Sequence, residues 1–382
     1  MAAILVVGAG FAGAVHAREL AEAGRQVEII DRRPHIAGNA YDAVDSNGLR
    51  RHVYGPHLFH TSNDRVIAWL RRFTDFLPYE HRVSAHVASL GGCVPLPVNR
   101  DTINAVFGET LGSAAATEAF LARIAVPIAN PANAAEYLQS KIGTVLTDLF
   151  FRPYTRKMWG LALEQMSASV VQRIPLRFDT DDRYFPTETH QGLPREGYTA
   201  LVARILDHPG IRISLDTAFD KAMLRDFAFC FNSMAIDEYF DTALGPLPYR
   251  SLRFHHRTEP GSYALGRTAQ VNFTDDGVYT RQSDWSRLPG HVVQETGRKT
   301  LTLEEPCADH ENNMERYYPV KTSDGAPERL YARYQDLAHA ERNIQFIGRC
   351  GTYRYLDMDQ VINQSLQNVR AWLAQQGGAA AP

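Results

Sequence analysis

The chain opens on an apolar run, Ile4-Leu-Val-Val7, which passes straight into Gly-Ala-Gly and then into apolar residues at helical spacing over 14–23. A short continuous apolar run bounded by turn residues reads as a buried strand, and the 3.6-residue recurrence after it reads as a helix closed by Gly24. A second strand is expected over 26–30. Farther along, 81–90 and 93–98 are rich in valine on either side of Gly91-Gly92, the mark of a β-hairpin that opens a second domain. From 102 to about 158 the pattern turns helical with breaks at Pro127, Pro131 and Gly143, so an all-helical insertion is expected. A helix near 198–208 and short strands at 211–215 and 227–231 would extend the N-terminal parallel sheet. The alternation in Ser251-Leu-Arg-Phe-His-His256 and Gln270-Val-Asn-Phe273 predicts antiparallel strands between 249 and 320. The chain ends on a strand at Ile344-Gln-Phe-Ile347, a helix over 358–375 and a Gly/Ala/Pro tail expected to be disordered.

Composition narrows the class. A chain of 382 residues is too long for one core, so two or three domains are expected. Hydrophobic residues at 45%, charged residues at 22% and a net charge of −3 describe an ordinary soluble globular protein and give no reason to expect nucleic acid as a partner. No apolar run approaches a membrane span, and the first strand begins too early to leave room for a targeting peptide, so a cytoplasmic protein is expected. Cys93, Cys230, Cys307 and Cys350 are too scattered for a zinc motif, and no metal is expected.

The first candidate chemistry is the turn Gly8-Ala-Gly10-Phe-Ala-Gly13 between strand and helix, with Asp31 eighteen residues past Gly13 at the end of the second strand. In a dinucleotide site the first glycine allows the tight turn, the second lets backbone approach a pyrophosphate, and the third packs helix on strand. The helix N-terminus faces the phosphates, and the acidic residue accepts from a ribose hydroxyl. The His-, Gly- and aromatic-rich stretch from Asp31 to His60 suits a loop wrapped around a flat ring system.

Three segments pair arginine with aromatics: Phe150-Phe-Arg-Pro-Tyr-Thr-Arg-Lys-Met-Trp159, Leu247-Pro-Tyr-Arg-Ser-Leu252 and Gly348-Arg-Cys-Gly-Thr-Tyr-Arg-Tyr-Leu-Asp357. Arginine forks and tyrosine hydroxyls suit a diphosphate, although surface ion pairs and packed tyrosines explain any single segment equally well. The order and wording of the motifs resemble the flavin-dependent UDP-galactopyranose mutase family from first strand to last helix. The matching segments are GAGFAGAV, DRRPHIAGNAYD, YGPHLFHT, PLPVNRDTIN, FFRPYTRKMWG, DDRYFP, QGLPREGYT, IDEYFD, LPYRSLRF, YYPV and GRCGTYRYLDMDQ.

That resemblance implies an α/β fold: a discontinuous Rossmann-type FAD-binding domain (1–75, 186–240 and 330–376), a helical domain with a mobile substrate loop (100–170) and an antiparallel β-sheet domain (76–99, 171–185 and 241–329). It implies an isomerase that interconverts UDP-galactopyranose and UDP-galactofuranose through an adduct between the sugar and N5 of reduced FAD, with NAD(P)H or another reductant supplying the electrons. Nucleophilic attack by a cofactor asks the protein for positioned cations around the diphosphate more than for an acid-base pair. A homodimer is expected. The alternatives are a mutase for another nucleotide sugar (UDP-N-acetylgalactosamine or a dTDP-deoxysugar), a flavin oxidoreductase and an inactive sugar-nucleotide binder.

By the same resemblance, Arg173, Arg250 and Arg349 match arginines at the diphosphate, and Tyr184 and Tyr355 match tyrosines that bond its oxygens. Phe150, Phe151 and Tyr154 match the uridine wall, and Trp159 borders the sugar on the mobile loop. His57 and His60 match histidines beside the isoalloxazine, although a core histidine bonded to backbone is an open reading for each. Asp357 matches an active-site acid with a share in cofactor binding. Gly8, Gly10, Phe11, Gly13, Asp31, Arg32, Gly38 and Asn39 match the ADP end of the flavin site, with Gly348, Met358 and Asp359 as its second contact.

One segment and three single positions depart from the pattern. Asn232-Ser-Met-Ala235 stands where the family commonly has Thr-Gly-Pro, and Pro153 replaces a usual glycine. Asp284 sits near a family glutamate, and Glu305 stands where a tyrosine bonds the diphosphate, which predicts either repulsion of that group or a rearranged loop.

Overall fold

The computed structural model describes residues 3–172, 175–290 and 297–378. Five parallel strands form the first sheet in the order Ile211–Ser214, Val27–Ile30, Ile4–Val7, Phe229–Asn232 and Ile344–Phe346. Ile4–Val7 lies at its centre and is buried throughout, because helices cover both faces of a parallel sheet and leave no side for polar residues. Ile4 and Val6 pack into the cluster that contains the helix Phe11–Glu22 and the last helix, Met358–Gly378, while Leu5 and Val7 join Tyr239 and Ile344 on the other face. The first helix reaches the sheet closely because residue 13 is glycine: a Cβ there would lie 1.9 Å from the Gly8 carbonyl oxygen. The last helix runs slightly past the expected end, and residues 379–382 of the tail lie outside the described residues.

The second sheet has seven strands, in the order Tyr318–Pro319, Tyr249–Pro260, Arg298–Ala308, Arg281–Asp284, Gln270–Phe273, Val83–Val87 and Gly92–Leu96. One pair departs from the antiparallel expectation: Gln270–Phe273 runs parallel to Val83–Val87. The two are far apart in the chain, so no hairpin turn dictates their direction. The hairpin at 83–96 forms as expected, closed by a 3₁₀ turn over Ala88–Leu90 and Gly91.

The helical insertion comprises Arg100–Phe107, Ala114–Ile124, Ala134–Leu146, a π turn at Thr147–Phe151 and Arg152–Trp159. The side chains of Asn99, Ser113 and Asn133 cap the first three by accepting from backbone N–H groups three residues on. The third helix is broken at Gly143, where φ is +71°. Pro153 is the second residue of Arg152–Trp159, directly after the π turn. Among the described residues no helix is long and apolar enough to cross a membrane.

Candidate active site

Two cavities adjoin, sharing part of their lining. The first, about 340 Å³, lies at the carboxyl ends of the parallel strands and is lined by Gly8, Gly10, Phe11, Asp31, Arg32, Gly38, Asn39, His57, Gly348 and Met358, as expected of a dinucleotide site. Gly10 caps the first helix without a side-chain acceptor, so the helix presents free N–H groups to the cavity. A Cβ on Gly38 would stand 2.9 Å from Gly10 Cα, so backbone alone forms the cradle. Asp31 accepts from the N–H of Ala9 at 2.7 Å and of Arg33 at 2.9 Å, which fixes its carboxylate at the cavity edge. This cradle fits the diphosphate and ribose of a dinucleotide. Gly13 lies behind the cradle, in its packing role, and Asp357 opens into the other cavity.

The Asn232–Ala235 turn reaches the same wall by different chemistry. Asn232 Oδ1 accepts from the N–H of Met234 at 2.9 Å, and Ser233 Oγ donates to the Val7 carbonyl at 2.7 Å, so side chains close the turn in place of glycine and proline. Ser233, Met234 and Ala235 all line the dinucleotide cavity.

The second cavity, about 300 Å³, shares Asn39, His57, Arg349 and Met358 with the first. Its end wall is Phe150, Phe151 and Tyr154, and Tyr184, Tyr355, His60 and Asp357 also line it. Arg349 donates to the carbonyls of Leu356 and Tyr317 and lies 4.9 Å from the Tyr355 ring, which stacks on Tyr318 at 5.4 Å. His60 stacks on Phe185 at 3.6 Å. Burial pushes the His57 imidazole down to about 4, the Gly55 carbonyl opposing and Arg349 assisting, so the ring is neutral near pH 7.

Other expected residues are placed differently. Arg250 does not line either cavity: its guanidinium donates to the carbonyls of Met158 at 2.8 Å and Lys157 at 3.2 Å, the unpaired end of the helix Arg152–Trp159. Trp159 is buried behind Tyr318, its ring edge-on at 6.2 Å, and does not reach the cavity lining. Asp359 lines neither cavity and accepts from Thr61 Oγ1 at 2.9 Å. Asp284 is buried against Lys299 Nζ at 2.6 Å, outside both cavities. Arg173 lies outside the described residues.

Glu305 corrects the expectation of a carboxylate at the diphosphate. It points to the far side of its strand, bonded to Arg253 at 3.0 Å and His255 at 2.7 Å. The cavity side belongs to Glu304, because neighbouring residues of a strand face opposite ways.

Cavity residues not foreseen from the sequence form a cross-strand row. Ala85, Asn272, Arg281 and Glu304 are successive register partners across four strands and line one wall. Arg281 Nη1 lies 3.7 Å from Glu304, and Nη2 donates to the Tyr154 hydroxyl at 3.2 Å. Burial pushes the Glu304 carboxyl up against the pull of Arg281. His81, kept near 3 by burial and by Arg281, stands beside this row. The alternation at Gln270-Val-Asn-Phe273 was the available signal, since Gln270 and Asn272 share the cavity face while Val271 is buried on the other.

Among the described residues, five lining residues each hold a buried polar atom without a hydrogen-bond partner: His60 Nδ1, which has the Glu188 carboxylate 3.6 Å away, His81 Nδ1, Asn272 Oδ1, Arg281 Nε and Glu304 Oε1. Folded proteins seldom leave such atoms unpaired, so their concentration along one cavity marks a wall built for a polar ligand.

The comparisons agree with this geometry. A family model described as UDP-galactopyranose mutase matches residues 149–355, and one described as an NAD(P)-binding Rossmann-like domain matches residues 6–73. A probable UDP-galactopyranose mutase of Klebsiella pneumoniae is 38% identical, covering 97% of this chain and 94% of its own. A dTDP-fucopyranose mutase of Escherichia coli is 34% identical over 97% and 98% of the two chains. A crystal structure of reduced UDP-galactopyranose mutase covers 98% of this chain and 94% of its own with a TM-score of 0.77 at 18% identity, a likeness of fold. With a Rossmann-type dinucleotide cradle opening onto a polar cavity and near full-length relatives at this identity, the chain belongs to the UDP-galactopyranose mutase family of isomerases.

Proposed function

We propose that the protein is an FAD-dependent mutase that interconverts UDP-galactopyranose and UDP-galactofuranose. The observation that carries this reading is the wall shared by the two cavities, Asn39, His57, Arg349 and Met358, which brings the end of a bound dinucleotide against a second ligand. When bound and reduced, FAD supplies a nucleophilic nitrogen for the anomeric carbon.

The chain's own residues then have three tasks. Gly8, Gly10 and the first helix hold the cofactor diphosphate, and Asp31 holds a ribose. Arg349 and Arg281 keep the departing nucleotide diphosphate within reach, so that it returns to the same carbon. Arg173 is assigned to this clamp by the family resemblance. Phe150, Phe151 and Tyr154 enclose the base. His57 is neutral, so the positive charge stays with the arginines.

The test is to incubate dithionite-reduced and air-oxidised protein with a panel of nucleotide sugars and separate pyranose from furanose forms by chromatography. Turnover by the reduced form alone, with UDP-galactose preferred, is the expected result. Equal turnover in the oxidised form, or protein that binds no FAD on reconstitution, refutes the reading. The relative named dTDP-fucopyranose mutase favours a second reading, a thymidine diphosphate deoxysugar, and the same panel decides between them. A homodimer belongs to the proposal and is read by light scattering.

A further inference from the structure

The segment from Asn312 to Arg316 follows a strand of the large sheet, yet Met314, Glu315 and Arg316 line the dinucleotide cavity, whose cradle belongs to the parallel sheet. We propose that this segment is a strap across the cofactor and that Glu315 is its latch, setting how fast the cofactor leaves; the proposal rests on the FAD reading above.

Both ends of the strap are tied down. Asn312 Nδ2 donates to Ser251 Oγ at 2.9 Å and to the Leu252 carbonyl at 3.0 Å, which holds the start to the large sheet. Arg316 is buried and donates to Asp309 at 3.1 Å and to Asp237 at 2.8 Å. Asp237 is itself fully buried in the short helix after the strand Phe229–Asn232, so the far end is held to the dinucleotide domain. Between these anchors Asn313 and Met314 adopt φ of +52° and +59°, a left-handed pair without glycine. Such backbone is costly and persists where the surroundings over-determine it.

The turn delivers Glu315 to two arginines that directly follow the ribose-site Asp31. Its carboxylate accepts from Arg33 and lies 3.5 Å from Arg32, which in turn sits 3.8 Å from Glu238. Arg33 also donates to Asn39 Oδ1 at 2.8 Å and lies 4.3 Å over the Tyr54 ring. Burial works against the charge of Arg33, and Glu315 is the chief group that offsets it, with Tyr54 and Tyr317 adding to its pull, so removing the carboxylate leaves a poorly compensated cation at the cavity. Since Asn39 lines both cavities, the chain Glu315, Arg33, Asn39 ties the strap to the place where cofactor and substrate meet. A bound dinucleotide therefore leaves only after these pairs open.

The test is the rate of FAD release, read as recovery of flavin fluorescence after dilution of holoenzyme at low and high salt. Glu315→Gln is expected to release FAD about tenfold faster than wild type at low salt. About 0.5 M salt should accelerate release from wild type and leave the variant nearly unchanged. Glu315→Asp should fall between them. Equal release by wild type and Glu315→Gln overturns the latch while leaving the FAD reading intact. Release from wild type that does not respond to salt also overturns it and needs no variant to fold. A wild-type chain that binds no FAD overturns both readings.

Discussion

Glu304 and Glu305 are neighbours in one strand and face opposite sides of the large sheet: Glu304 meets Arg281 in the second cavity, and Glu305 pairs with Arg253 and His255 outside it. Period-two alternation makes the assignment all or none, since a one-residue slip would exchange the two carboxylates. The position where a diphosphate contact was expected is therefore spent on surface pairing.

Glu305→Tyr should leave the affinity for UDP and UDP-galactose within about twofold of wild type, because partly exposed ion pairs contribute little. Glu304→Gln should alter it by about tenfold or more, since it removes the charge opposite Arg281. Titration by flavin fluorescence at fixed salt reads both. A strong effect at Glu305 with none at Glu304 would mean that the strand register is wrong.

Arg349→Ala and Arg250→Ala should separate ligand binding from packing. Loss of Arg349 is expected to weaken UDP binding by about 10- to 100-fold, the equivalent of one charge-assisted contact. Arg250→Ala should lower thermal stability by about 1–3 kcal/mol through the helix end at Lys157 and Met158, with a smaller change in UDP affinity. Thermal melts and UDP titrations of both variants check this, and a reversed ranking would return Arg250 to the diphosphate.

Gly8→Ala should yield protein depleted in FAD. The residue has φ +96°, and a Cβ there would stand 2.1 Å from Ser233 Oγ. Ser233→Gly removes the clash and leaves the backbone strain of about 1–3 kcal/mol, so the double variant should recover only part of the cofactor. Flavin absorbance per protein measures it; full occupancy in Gly8→Ala would show that the turn tolerates a side chain.

Stability should fall as the solution is acidified from about pH 6.5 towards 4. His16 and His81 are buried, and burial brings their imidazoles down to about 4 and about 3, partly opposed at His16 by the Ala12 carbonyl and reinforced at His81 by Arg281. The unfolded chain protonates both near 6.5 while the native chain does not, so the unfolded state binds more protons in this window and gains stability as pH falls. Each histidine contributes a slope of about 1.4 kcal/mol per pH unit. Urea unfolding at pH 7, 6 and 5 reads it; unchanged stability would mean that the two rings are protonated in place.

Much of the architecture was legible because local pattern and tertiary role coincide. The run Ile4–Val7, the glycines at 8, 10 and 13 and the acid at 31 state a strand, a turn and a dinucleotide cradle within one short segment, where backbone sterics act alone. The hairpin about Gly91, the break at Gly143 and the last helix were readable for the same reason.

The polar wall of the second cavity was different in kind. Asn272, Arg281 and Glu304 lie on separate strands and become one surface only through sheet register, which nothing local encodes. Arg250 looked the equal of Arg349 in an arginine-tyrosine segment, yet packing set one against helix carbonyls and the other between two cavities. The sequence by itself determined the cradle and the family, because these are written in short-range sterics and motifs, whereas the helices Asp64–Leu70 and Ala326–Ala340 were not read from it. Which charges face the ligand was decided only by tertiary structure, because the side of a strand that is buried depends on the partners that the rest of the chain brings to it.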